Sequence, residues 1–224
     1  MTRDSRWARR GAVGGFVALG AFWLLVFAAG RLEPGYRPTR DYVSALASEG
    51  ARFPALGVLA LVTFGIAYLA AAVVLQTWVG TRFGALLMAG AGAITWIVAL
   101  ARIHCPGGAA NCGHAGTNGV LVARTAGSTL GPHVHGWAVA LSYALVAVAM
   151  LWLAVLWRRR HHPLRASASG AALIGSLATV PFWVSSDAPG LAQRLWLGIL
   201  SAWVALVCVR PLVDLDAAQP EEAA

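Results

Sequence analysis

The chain has 224 residues, 58% hydrophobic and 12% charged, with a mean hydropathy of +0.67. A soluble domain carries about 25% charged residues, so this composition excludes a water-soluble globule, and the high apolar content excludes intrinsic disorder. The formal net charge is +8 and all 17 basic residues are Arg, but they sit at the ends of apolar runs, where they set membrane topology. No nucleic-acid partner is expected.

Six apolar runs follow one another: residues 11–30, 54–79, 83–101, 136–157, 166–184 and 195–212. A helix of about 20 residues spans a bilayer core. Backbone groups in lipid must be satisfied internally, and no barrel-like alternation occurs, so the fold class is an all-α polytopic bundle of six transmembrane helices. Arg3, Arg6, Arg9 and Arg10 before the first run resemble a signal-peptide n-region. The apolar stretch exceeds the usual 7–15 residues of a signal peptide, so a retained span is expected. The sixth run is the weakest, because Arg194 and Arg210 bracket only fifteen residues and both would have to snorkel.

Arginine counts set the orientation. With the N-terminus inside, ten arginines fall on inner segments and seven on outer ones. The dense clusters, before the first run and at Arg158, Arg159 and Arg160, are then both inside. Six spans return the C-terminus to the inside. The chain divides into a basic cytoplasmic N-terminus (1–10), a six-helix transmembrane domain (11–212) and an acidic cytoplasmic tail (213–224) with Asp214, Asp216, Glu221 and Glu222. The expected location is a bacterial plasma membrane.

Two long loops, 31–53 and 102–134, fall outside, and long loops in a compact bundle are more often functional. In the first, Thr39 after Pro38 offers an N-cap for a short helix from Arg40 to Ser48. Tyr42, Val43 and Leu46 would give it one apolar face, to lie on the membrane or tuck into the bundle mouth. Asp41 and Ser44 would share a helical face, but a nucleophilic Ser needs a base.

The second loop holds Cys105 and Cys112, whose spacing on an oxidising face suits a local disulfide. It also brings His104 and His114 near His133 and His135. These four could form a metal or catalytic cluster, with zinc or copper the metals that imidazole suits, or act as a pH sensor. They could equally be interfacial residues that cap helices. His133 and His135 would diverge by roughly 200° on a helix, so at most one faces a shared site. Asp187, in the loop before the sixth run, could cap that run or orient one of these rings.

The runs contain almost no ionisable groups, which argues against a pump or an ion-coupled transporter. Gly84, Gly90 and Gly92 permit close helix packing in the third run. Trp78, Trp137, Trp157 and Trp196 suit interfacial belts, and Cys208 reads as a small buried residue. Arg158, Arg159 and Arg160, with His161, His162 and Arg165, form an inner patch suited to anionic lipid headgroups.

Tyr36-x-Pro38 followed by Ser44-x-Leu46, the Cys/Pro/Gly loop after the third run, and His135-Gly136 opening the fourth resemble the prokaryotic six-span family known as domain of unknown function 998. The resemblance covers about residues 11–210 and implies no activity. Many members carry an acidic residue after the third run, and this chain has none between Glu49 and Asp187. A weaker resemblance is to alkaline ceramidase-like membrane hydrolases, which implies a zinc site built from Ser44, Asp187, His114, His133 and His135. Those proteins have seven spans and a His-x3-His pair, and this chain has neither. The expected function is binding of a lipid or partner protein through the outer loops; the alternative is metal-dependent lipid hydrolysis, and a third class is a subunit that meets a partner chain through the sixth run, with a homo-oligomer among the partners considered.

Overall fold

A computed structural model describes residues 3–102, 130–185 and 187–216. Every regular element among the described residues is helical. The order is α1 (Arg3–Leu32), a 3₁₀ helix (Val43–Ala47), α2 (Pro54–Val74), a π turn (Leu75–Val79), α3 (Arg82–Leu100), α4 (Leu130–Arg159), α5 (Pro163–Ser185) and α6 (Pro189–Asp216). Local chemistry marks these boundaries. Proline opens α2, α5 and α6, where its fixed φ suits the first turn and its missing N–H costs nothing. Gly80 ends the π turn in the left-handed region (φ 70°), and Thr81 caps α3 by accepting a hydrogen bond from the Gly84 N–H at 3.2 Å. His161 (φ 60°) ends α4, with the His162 N–H returning to the Trp157 carbonyl at 2.9 Å.

Consecutive helices pack side by side, and α6 returns against α1 to close the ring. Helices α2 and α6 also touch across the interior. Lipid is as apolar as leucine, so close packing and interhelical hydrogen bonds must hold such a ring together. Phe22, Phe64 and Tyr68 stack through the interior with ring centroids 4.6 and 4.8 Å apart. Gly65 and Gly92 let α2 and α3 approach until a Cβ on either would lie within 2.9 Å of the other's carbonyl oxygen. Gly15 makes room on α1 for the buried Cys208.

One polar tie then crosses most interfaces. The Trp96 indole donates to the Val62 carbonyl (α3 to α2, 3.1 Å), and Thr95 meets Ser142 (α3–α4, 3.0 Å). Tyr143 meets Ser176 (α4–α5, 3.2 Å). The Trp203 indole donates to Ser169 (α6 to α5, 2.8 Å) and that of Trp23 to Ser201 (α1 to α6, 3.2 Å).

Among the described residues, five helical segments are long and apolar enough to cross a membrane: Ser5–Leu32, Pro54–Val79, Arg82–Leu100, His133–Arg159 and Pro189–Val213. The chain is an integral membrane protein. Of these five the sixth run, Pro189–Val213, has the lowest mean hydropathy, 1.9, as its bracketing arginines suggested. Helix α5 has 23 residues, and Ser167, Ser169, Ser176, Thr179 and Pro181 dilute its apolar character. Helix α6 begins before Arg194 and carries that side chain inside its first turns. Two expected belt residues, Trp157 and Trp196, are buried in the bundle, while Trp137 is exposed.

Candidate functional site

The end of the bundle where α1 stops and α2 begins is closed by residues 33–53. The short helix expected from Arg40 to Ser48 is a 3₁₀ helix of five residues, all of them buried, so of its two expected placements it takes the bundle mouth and not the surface. Its N-cap position is Tyr42, and Thr39 does not cap it; the Thr39 carbonyl accepts from the Leu191 N–H at 2.9 Å. Tertiary contacts decide this shape. A Cβ at Gly57 of α2 would lie 2.3 Å from the Leu46 carbonyl carbon, so the 3₁₀ backbone rests directly on that helix. On its other flank, Ala47 packs against Val98 and Ala99 of α3 and Ala138 of α4.

Arg194 of α6 clamps the first half of this segment. Its Nη1 donates to the carbonyls of Pro38, Asp41 (3.0 Å) and Gly190 (3.0 Å), and its Nη2 donates to the Tyr36 hydroxyl. The Tyr36 hydroxyl in turn donates to the Tyr42 carbonyl at 3.3 Å. The Gln193 carbonyl oxygen accepts from the Val43 N–H at 2.6 Å, and the Asp41 carboxylate from the Arg37 N–H at 2.5 Å. Gly190 is required here, because a Cβ would fall 2.5 Å from the Asp41 carbonyl oxygen. Burial pushes the Tyr36 phenol above its ordinary value although the Arg194 charge pulls it down, and burial also raises Tyr42. Both phenols stay neutral at physiological pH, and that of Tyr36 is the one that donates.

The second half is tied to α3 and α4. The Arg102 Nε donates to the Ala47 carbonyl at 3.1 Å. His135 is buried and its Nδ1 lies 2.9 and 3.1 Å from the carbonyls of Ala101 and Val98. Carbonyls only accept, so Nδ1 carries the proton and His135 closes the C-terminal end of α3. His133 is exposed, so the two rings do diverge. Ser44 is buried in the 3₁₀ helix, Asp187 is exposed in the turn before α6, and no hydrogen bond joins them. No group of three His, Cys, Asp or Glu side chains converges among the described residues. His104, His114, Cys105 and Cys112 lie outside the described residues.

At the opposite end, Arg158 and Arg159 are exposed in the last turn of α4, while the Arg160 Nη1 just beyond it donates to the Val79 carbonyl at 2.7 Å. An apolar groove of about 410 Å³ opens here between Trp78, Trp157, Pro163, Leu164, Leu206 and Val209. The sequence reading took Arg194 only as a bracket of the sixth run and did not single out Gln193. An arginine inside an apolar run needs acceptors, and that need was the available signal; which acceptors it takes was not.

The family model described as "Protein of unknown function (DUF998)" matches residues 16–210. The chain belongs to this family. No curated protein and no solved structure matches it. For this DUF998 member the geometry is thus the main guide to function, and it offers two contrasting ends: a loop fixed into the bundle mouth, and a groove beside exposed arginines.

Proposed function

We propose that this DUF998 protein crosses the plasma membrane six times, with both termini inside, and binds a negatively charged partner, a lipid headgroup or an acidic protein segment, on its outer loop face. The observation that carries this reading is the clamped segment 33–53. Its buried half is pinned to α2, α3 and α6, and its other side presents Arg37, Arg40 and Arg52 to solvent. A segment so fixed holds these three cations in a constant arrangement, which lowers the ordering cost of binding.

The Arg52 backbone N–H is anchored to the Glu33 carboxylate at 2.7 Å, which fixes that corner of the surface. Apart from His135, the buried polar side chains of the spans among the described residues are hydroxyls, such as Thr95, Ser142, Ser169 and Ser201, that tie helices to one another. They suit a rigid scaffold better than a conduction path.

Two measurements test this. A green fluorescent protein fused to the C-terminus should fluoresce, and a cysteine at position 40 should react with a membrane-impermeant maleimide in intact cells; the reverse pattern would overturn the orientation. Native mass spectrometry of the purified protein should show a retained partner that Arg37→Ala/Arg40→Ala/Arg52→Ala releases. Unchanged retention would sink the outer-face reading.

A further inference from the structure

We propose that the groove at the arginine-rich end is a binding site for one anionic phospholipid, with an acyl chain in the groove and the phosphate beside Arg158 and Arg159. This goes beyond the outer-face reading and requires only that the bundle span a membrane. The groove is built by four separate elements. The π turn supplies Trp78 and Val79, α4 supplies Trp157, α5 supplies Leu164 and α6 supplies Leu206 and Val209.

Its volume of about 410 Å³ lies within the roughly 300–1,000 Å³ of pockets that hold small molecules. The π turn widens the end of α2, and such bulges often mark functional positions. The Arg160 hydrogen bond to Val79 joins the end of α4 to that turn and fixes one wall. Leu164 stands at the rim with 86% of its surface exposed, although it opens a helix beside His161, His162 and Arg165. An exposed leucine next to a basic turn suits the boundary between acyl chains and headgroups.

Charge decides the class of lipid. Arg158 and Arg159 project from the last turn of α4, where the helix C-terminus favours cations and does not cancel their attraction for a phosphate. The acidic residues that the sequence supplies near this end are Asp4 in the first turn of α1, Asp214 and Asp216 on α6, and Glu221 and Glu222 in the segment after it. The tail has charge to compete for the arginines. Residues 217–224, Ala-Ala-Gln-Pro-Glu-Glu-Ala-Ala, include no large apolar side chain to fill the groove. A lipid satisfies both parts of the site and the tail satisfies one.

The test reconstitutes the full chain in phosphatidylcholine vesicles containing a small fraction of phosphatidylglycerol with brominated acyl chains, which quench nearby indoles. Brominated phosphatidylglycerol should quench more than brominated phosphatidylcholine at the same fraction. Trp78→Phe/Trp157→Phe should remove the excess. Each of Arg158→Gln and Arg159→Gln should weaken the preference roughly fivefold. Leu164→Ser, at a position too exposed to disturb folding, should also reduce it.

Equal quenching by the two lipids, or an excess that survives the double tryptophan variant, would overturn the proposal. So would a preference that emerges only when the chain is cut after Asp216, because the tail would then be the occupant. Arg37→Ala/Arg40→Ala/Arg52→Ala should leave the excess unchanged; its loss in that variant alone would move the lipid to the opposite end and refute the groove.

Discussion

Arg194 and Arg158 are the same side chain at opposite ends of one bundle, and the protein uses them differently. Arg194 is half-buried and spends its donors on the carbonyls of Pro38, Asp41 and Gly190 and on the Tyr36 hydroxyl. Arg158 is exposed at the end of α4. The planar guanidinium with several fixed donors suits the first role, since it joins the loop stretch 36–41 to the first turn of α6 at once. The second role needs only charge near an interface. Arginine content alone therefore says nothing about which end is structural; the number of acceptors around each guanidinium does.

The sharpest way to break this contrast is to remove each arginine in turn. Arg194→Ala should lower stability by about 2–3 kcal/mol, because hydrogen bonds to a charged group are lost and buried carbonyls are left unpaired. Arg194→Lys should recover only part, since one ammonium cannot reproduce the fork. Arg158→Ala should change stability by less than about 0.5 kcal/mol. Thermal unfolding in detergent, followed by tryptophan fluorescence, compares all three. Equal effects at the two ends would remove the distinction.

Next in size is Gly57→Ala, expected to cost about 1–3 kcal/mol because the obstruction is the Leu46 backbone and cannot rotate away. Gly14→Ala is the matched control. Nothing lies within 4 Å of a Cβ there, so it should stabilise α1 by about 0.5–1 kcal/mol. Trp203→Phe, which removes the tie to Ser169, should cost about 1 kcal/mol, in line with interhelical hydrogen bonds in membranes.

The smallest effect is a pH dependence at the clamped end. Tyr36 has a raised pKa in the folded state, with burial as the largest cause. The neutral phenol thus contributes stability that is fully present below the ordinary value of 10.0 and is lost as the pH rises through the folded value. Absorbance of phenolate near 295 nm should show a late-ionising tyrosine that disappears in Tyr36→Phe. Unfolding temperatures should fall more steeply above pH 10 for the native chain than for that variant.

Much of the scaffold was legible from composition and run length. The helical class and most span positions follow from the need to satisfy every backbone group inside lipid, which is a property of local sequence. Gly92 was recognisable as a packing residue because small side chains are what let helices approach. The divergence of His133 and His135 followed from helical spacing. The 3₁₀ helix was not legible. Residues 40–48 have an amphipathic pattern, and only the neighbouring surfaces of α2, α3 and α6 show that residues 43–48 are buried. Likewise, the way Arg194 is accommodated at the start of the sixth run was not legible, because its acceptors lie 153 to 158 residues away in sequence.

The sequence by itself determined the solvent this protein lives in, the helices that solvent demands and the ends where its arginines collect, since each depends on residues close together in the chain. The tertiary structure decided which arginine is a clamp and which is exposed, where the loop 33–53 lies, and that four elements leave a groove beside Trp78 and Trp157. Those outcomes depend on which carbonyls and side chains meet across the bundle, and a hydrogen bond or a cavity wall has no signature in either partner alone.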